Sequence, residues 1–74
     1  MPHVAVKLYP GRSEEQKQAL ALEVARTLMS VLGSKPESIS IGIEEVAPED
    51  WAERVNKPDV LGKPDTIYRK PGSK

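Results

Sequence analysis

The chain has 74 residues, with 11 basic and 11 acidic side chains, one histidine and no cysteine. The missing cysteines exclude disulfides and thiolate zinc sites, and a single histidine argues against a structural metal. The zero net charge argues against nucleic-acid binding. A domain of this size buries only about 60% of the surface that its unfolded chain exposes, so it is marginally stable alone. We therefore expect it to self-associate.

No apolar run approaches the ~18 residues of a membrane span. The N-terminus also lacks the basic and apolar regions of a signal peptide. Together with the chain length and the zero net charge, these two features predict a single cytoplasmic domain over residues 1–74 that binds neither membrane nor nucleic acid.

The first predicted element is a strand over residues 3–9, because apolar side chains alternate with others along this stretch. One face carries Val4, Val6 and Leu8, and the other carries His3, Ala5, Lys7 and Tyr9. Pro10 and Gly11 then end the strand.

A helix is predicted next, ending at Leu32. Ser13 stands three residues before Gln16, which is the spacing of a capping box, and Gly33 suits the left-handed position that stops a helix. Its apolar stripe is wide and comprises Leu20, Val24, Leu28, Val31 and Leu32, flanked by Leu22, Ala25 and Met29. A stripe of this width is typical of a helix that packs on more than one surface.

A turn at residues 34–36 leads into a second predicted strand over residues 39–46, with Ile39, Ile41 and Ile43 on one face. Strand, helix and strand form a βαβ unit with parallel strands and a right-handed crossover, so the predicted class is α/β (α+β). Parallel sheets are normally covered on both faces, yet the chain supplies one long helix. This imbalance also favours an oligomer.

Pro48 suits the first position of a short second helix that runs through Trp51 to about Val55. Residues 2–55 would then form the βαβ core with its short helix. Residues 56–74 form a tail broken by prolines and glycines, in which residues 66–69 could add a short strand to a neighbouring sheet edge or stay extended.

Pro2 is the first candidate for chemistry, because removal of Met1 would leave its secondary amine as the chain terminus. An α-amino group titrates near ~7.7–8, and burial or nearby cations lower its pKa further, which suits a general base. The competing interpretation is an incidental proline after the initiator methionine. The sequence has no serine–histidine–aspartate arrangement, no cysteine nucleophile and no glycine-rich phosphate-binding motif.

Arg12 is the second candidate, in the loop between strand and helix. A guanidinium there could bind a carboxylate bidentately and stabilise a nearby enolate, or it could simply be solvated. Trp51 could line an apolar pocket or pack in the core or an interface. His3 is adjacent to Pro2, but a histidine on a strand face is more often packed or hydrogen-bonded than catalytic.

In their order and spacing, these residues resemble the 4-oxalocrotonate tautomerase family. The resemblance covers residues 2–55 and rests on Pro2 at the strand start, Gly11-Arg12-Ser13, Glu15-Gln16-Lys17 and Trp51. The stretch from Lys57-Pro58-Asp59 to Tyr68-Arg69-Lys70-Pro71-Gly72 resembles the longer tails of the phenylpyruvate and pyruvate tautomerase-like branch.

The resemblance implies a tautomerase that interconverts enol and keto forms of a 2-keto acid without cofactor or metal. Pro2 would carry the proton as base and then acid. Arg12, from a neighbouring subunit, would bind the substrate carboxylate, and Trp51 would line the pocket and help keep the proline nitrogen desolvated. The long tail favours a homodimer over a hexamer built from three dimers.

One position departs from the family pattern. Ser40 stands where members specific for dicarboxylates carry a second arginine, so a monocarboxylate such as phenylenolpyruvate is the expected substrate. Polarisation of the carbonyl would then fall to Lys7, to the Ser40 hydroxyl or to a backbone amide. The alternative to catalysis is a non-catalytic oligomeric βαβ module that keeps the scaffold without its chemistry.

Overall fold

The computed structural model describes residues 1–73 and has the predicted βαβ order. Strand β1 (His3–Leu8) and strand β2 (Ser40–Glu45) are parallel neighbours, and helix α1 (Glu14–Leu32) connects them. The register pairs His3 with Ser40 at one end and Leu8 with Glu45 at the other. The predicted βαβ unit with parallel strands is confirmed.

Both strands are shorter than predicted. Tyr9 lies outside β1 because Pro10 follows it and turns the chain, and Ile39 and Val46 lie outside β2. The Val46 amide still donates to the carbonyl of Leu8 over 2.8 Å, so the last ladder bond forms just as the chain leaves the sheet.

Helix α1 begins and ends where its sequence signals predict. The Gln16 amide donates to Ser13 Oγ (3.1 Å), and the Ser13 amide donates to Gln16 Oε1 (2.9 Å), which completes the capping box. Gly33 has φ 69° and donates its amide to the Met29 carbonyl over 3.0 Å. That left-handed conformation strains residues that carry a Cβ, which explains the glycine.

Only part of the apolar stripe of α1 packs on the sheet of its own chain. Its partly buried positions are Lys17, Ala21, Val24, Ala25, Leu28 and Met29. The exposed apolar residues of α1 are Leu20, Leu22, Val31 and Leu32, and Val31 is 72% exposed. Across residues 1–73, no helix is long and apolar enough to cross a membrane.

The core of the single chain is very small. Of the residues described, the buried apolar residues are Val46 and Val55, which are 1% and 6% exposed. Burial of apolar surface is the main favourable contribution to folding, so a chain with so little of it needs further contacts to be stable.

The C-terminal half departs most from the predicted elements. A 3-10 turn at Pro48–Asp50 leads into a π-type helical segment, Ala52–Leu61, which we call the C-terminal helical segment. It runs six residues beyond the predicted end at Val55 and contains Pro58. The ring of a proline inside an α-helix collides with the carbonyl four residues earlier, and a wider π-type turn relieves that collision.

The strand considered for residues 66–69 is wrong for the single chain. A 3-10 turn occupies Pro64–Thr66, and the described residues contain no strand besides β1 and β2.

Two ion pairs tie the C-terminal helical segment to the sheet. Lys7 Nζ lies 2.6 Å from Asp59 Oδ2, and Arg54 lies 2.6 Å from Glu44. Lys7 and Glu44 share the sheet face opposite α1, because side chains alternate along each strand. The segment therefore covers part of the face that the helix leaves open.

The Lys7–Asp59 pair predicts a pH dependence of stability. Its hydrogen bond from Lys7 holds the pKa of the Asp59 carboxyl below its usual 3.8. A folded-state pKa below the unfolded one contributes stability above pH 3.8, and that stability is lost as pH falls through the folded pKa. In Asp59→Asn, the free energy of unfolding should therefore fall less steeply at acid pH, as measured by urea titrations at several pH values. Asp65→Asn, on an exposed turn, is the matched control; equal slopes for D59N and the wild type would contradict the assignment.

Candidate active site

The start of β1 brings together Pro2, His3 and Ser40. The Ser40 amide donates to the Pro2 carbonyl over 3.2 Å, and His3 Nδ1 lies 2.7 Å from Ser40 Oγ. Met1 precedes them and is fully exposed, so its removal would take no packed side chain from the fold. Two of the predicted site residues, Pro2 and Ser40, thus lie side by side.

The far end of β1 brings together Arg12, Trp51 and Lys7. With Leu8 and Tyr9 they line an open cleft of about 370 Å³. Arg12 comes from the loop between β1 and α1, whereas Trp51 comes from the turn after β2. Parallel pairing places both at one edge because the C-terminal ends of the two strands coincide there.

Tyr9 is a cleft residue that sequence reasoning placed only in a strand. Its ring meets the Trp51 indole edge to face, with centroids 4.9 Å apart and planes at 86°. This geometry is favoured between aromatic rings and fixes the orientation of the indole. The position of Tyr9 could have identified it as a cleft residue, because it is the aromatic residue at the strand end and lies on the same alternating face as Lys7.

Arg12 keeps its guanidinium available to an anion. No carboxylate or carbonyl among residues 1–73 binds its side chain. The acidic residue that ends β2, Glu45, is bound instead by Lys17 (3.1 Å), and the hydrogen bond that Lys17 donates to Glu45 is the main reason why the pKa of Lys17 is raised. The charge of Arg12 is thus not neutralised within the cleft.

Lys7 is less available than Arg12 to a ligand. Its ammonium group is paired with Asp59 at 2.6 Å, and its side chain is only 28% exposed. Lys7 also lies at the Arg12 end of the strand, away from Pro2. Of the groups considered for carbonyl polarisation, the Ser40 hydroxyl is therefore the side chain beside Pro2.

The two halves of the predicted site are far apart within one chain. A six-residue strand spans roughly 20 Å, and β1 separates Pro2 from the cleft of Arg12 and Trp51. A single small substrate cannot contact both ends. Trp51 likewise cannot shield the Pro2 nitrogen of its own chain.

No cluster of metal-binding side chains accompanies either half. Within residues 1–73, no group of three or more histidine, cysteine, aspartate or glutamate side chains is arranged to hold a metal ion.

Comparison with known proteins extends the likeness to nearly the whole chain. The family model described as "Tautomerase enzyme" matches residues 2–57. The chain is 41% identical over 73 residues to tautomerase PptA of Cronobacter sakazakii, covering 97% of this chain and 96% of that protein. It is 39% identical over 72 residues to a probable tautomerase of Xylella fastidiosa, covering 97% and 88%.

The fold matches solved structures as well. TomN, a 4-oxalocrotonate tautomerase homologue in the tomaymycin biosynthetic pathway, has a TM-score of 0.65 and 32% sequence identity, covering 68% of this chain and 77% of its own. The resemblance seen in the sequence is thus confirmed at the level of family and fold. The chain belongs to the tautomerase family.

Proposed function

We propose that the protein is a cofactor-independent keto–enol tautomerase of a 2-keto acid, in which the amine of Pro2, freed by removal of Met1, is general base and acid. The observation that carries the proposal is that strand β1 has a proline at its start and an unneutralised arginine just beyond its end. Relatives named as tautomerases, at 39% and 41% identity, support it.

The proposed reaction moves one proton from the enol oxygen to C3, while C–O becomes C=O and C=C becomes C–C. The Pro2 nitrogen takes the proton of the enol hydroxyl, and the electron pair of the broken O–H bond forms the carbonyl as the C=C pair shifts to C3. The resulting pyrrolidinium returns a proton to C3, so the amine is regenerated. Arg12 binds the carboxylate and so holds the substrate in place while the enolate forms between these two transfers.

A second copy of the chain supplies the other half of the site. Pro2 of one copy and Arg12 of another would have to meet, because roughly 20 Å separates them within a chain. The exposed apolar residues of α1 provide surface for such an assembly. The C-terminal helical segment covers the opposite sheet face, which favours a dimer over stacking of that face in a hexamer.

A monocarboxylate with an aromatic ring, such as phenylenolpyruvate, is the proposed substrate. One unneutralised arginine suits one carboxylate, and Ser40 provides a hydroxyl where a second cation would be needed. The edge-to-face pair of Tyr9 and Trp51 offers aromatic surface beside Arg12 for the substrate ring.

The role of Pro2 predicts a large loss on substitution. In Pro2→Ala, mature protein that begins at residue 2 should ketonise phenylenolpyruvate about 10²- to 10⁴-fold more slowly, the usual contribution of general acid–base catalysis. Intact-mass spectrometry verifies each N-terminus. Pro71→Ala, an exposed proline in the tail, is the control and should keep wild-type rates. Full activity in P2A, or a retained Met1 in active protein, would refute the mechanism.

The role of Arg12 predicts a loss confined to binding of the carboxylate. Arg12→Ala should raise KM for phenylenolpyruvate about 10- to 100-fold, since a charge-assisted hydrogen bond contributes about 1.5–3 kcal/mol. An enol without a carboxylate should be little affected. Arg26→Ala, an exposed arginine on α1, is the matched control. Equal losses for charged and neutral enols would contradict the assignment.

The shared site predicts complementation between P2A and R12A, assayed at a phenylenolpyruvate concentration well below the KM of R12A, where each variant alone is nearly inactive. In an equal mixture of P2A and R12A chains, random pairing gives about a quarter of the sites both intact groups, so about a quarter of wild-type activity should return. Coexpression followed by activity assay tests this, with each variant alone as the baseline. No recovery in a verified mixed oligomer would mean that both groups act within one chain.

A further inference from the structure

His3 and Ser40 form a polar pair beside Pro2 that the mechanism above does not use. Their side chains meet across the sheet, with His3 Nδ1 and Ser40 Oγ 2.7 Å apart. The backbone of Ser40 is bonded to Pro2 through a 3.2 Å amide–carbonyl contact. Ser40 is therefore held through its side chain by His3 and through its backbone by Pro2, the residue proposed as the base.

The direction of the His3–Ser40 hydrogen bond decides what Ser40 can offer to a ligand. A serine hydroxyl has one proton to donate and two lone pairs that accept. If His3 Nδ1 carries a proton, it donates to Ser40 Oγ, and the hydroxyl proton stays free for another acceptor. If Nδ1 is bare, the serine proton points into the imidazole and only lone pairs face outward.

We propose that His3 is a positioning residue: its Nδ1–H holds Ser40 Oγ so that the Ser40 hydroxyl donates to the substrate oxygen at C2. This inference rests on the proposed tautomerase function. The C2 oxygen carries the negative charge of the enolate, and a fixed donor aimed at it stabilises that charge. Protonated histidine carries hydrogen on both ring nitrogens, so only then is Nδ1 always the donor.

His3 is the one histidine of the sequence, so among residues 1–73 the side chains near it are not of the type that ordinarily changes charge between about pH 5 and 8. The groove that His3 lines also contains Lys7, Asp59 and Lys63, and Glu44 shares the same sheet face. Lys7 and Lys63 both lie within 4 Å of Asp59, at 2.6 and 3.8 Å. The proposed base, Pro2, also lies nearby, so the test compares variants at each pH rather than raw rates.

The decisive measurement is the ratio of kcat/KM between wild type and Ser40→Ala for phenylenolpyruvate, taken across pH 5–8. We expect the ratio to rise about two- to tenfold toward low pH, the effect of one added hydrogen bond. In a His3→Ala background the same ratio should be small and independent of pH. In a His3→Asn background, where the side-chain amide N–H can donate at every pH, the ratio should be high and independent of pH.

An independent readout uses the fact that the sequence has one histidine. At low pH, nitrogen NMR of the imidazole should show a hydrogen-bonded Nδ1–H in wild type that is lost in Ser40→Ala. A pH-independent ratio in the wild type, or an Nδ1–H signal that Ser40→Ala leaves unchanged, would overturn the role of His3, as would equal ratios in H3A and H3N with unaltered melting points. If P2A loses activity but the ratio of wild type to Ser40→Ala does not vary with pH, this inference is overturned and the proposed function is left intact. If the wild type does not turn over phenylenolpyruvate, both are overturned.

Discussion

The in-register parallel pairing of β1 with β2 is the constraint on which the rest of the molecule depends. It places Ser40 opposite His3 and next to Pro2, and it places Glu45 opposite Leu8. Because both strands run the same way, the two loops that follow them meet at one edge, which brings Arg12 and Trp51 to a common cleft. The same arrangement puts the Pro2 half of the site at the opposite edge.

Ion pairs within the chain determine which charged side chains near the cleft remain available to a ligand. Lys17 binds Glu45, and Lys7 binds Asp59, so the acidic and basic groups near the cleft are mostly neutralised by each other. Arg12 has no such partner among residues 1–73 and keeps its charge for a ligand. A site with one available cation and an aromatic wall differs in chemistry from one with two cations, and it is this difference that directs the proposal toward a monocarboxylate.

The proposed association with a second copy of the chain would affect both the stability of the fold and its function. A chain in which two valines are the buried apolar residues among residues 1–73 gains little from folding alone. A partner copy would cover the exposed apolar residues of α1, and it would also join the two halves of the site. Stability and activity would then depend on the same contact, so conditions that separate the subunits should remove both.

The sequence by itself determined the features that depend on neighbouring residues. Ser13 and Gln16 are three apart and Gly33 follows the stripe, so both ends of α1 could be predicted, as could the alternation of β1. What only the tertiary structure decided involves contacts between distant residues: the extension of the C-terminal helical segment to Leu61, the Tyr9–Trp51 and His3–Ser40 pairs, and the absence of a strand at residues 66–69. Local periodicity carries no information about such partners, because they are set by sheet register and by the path of the chain after β2.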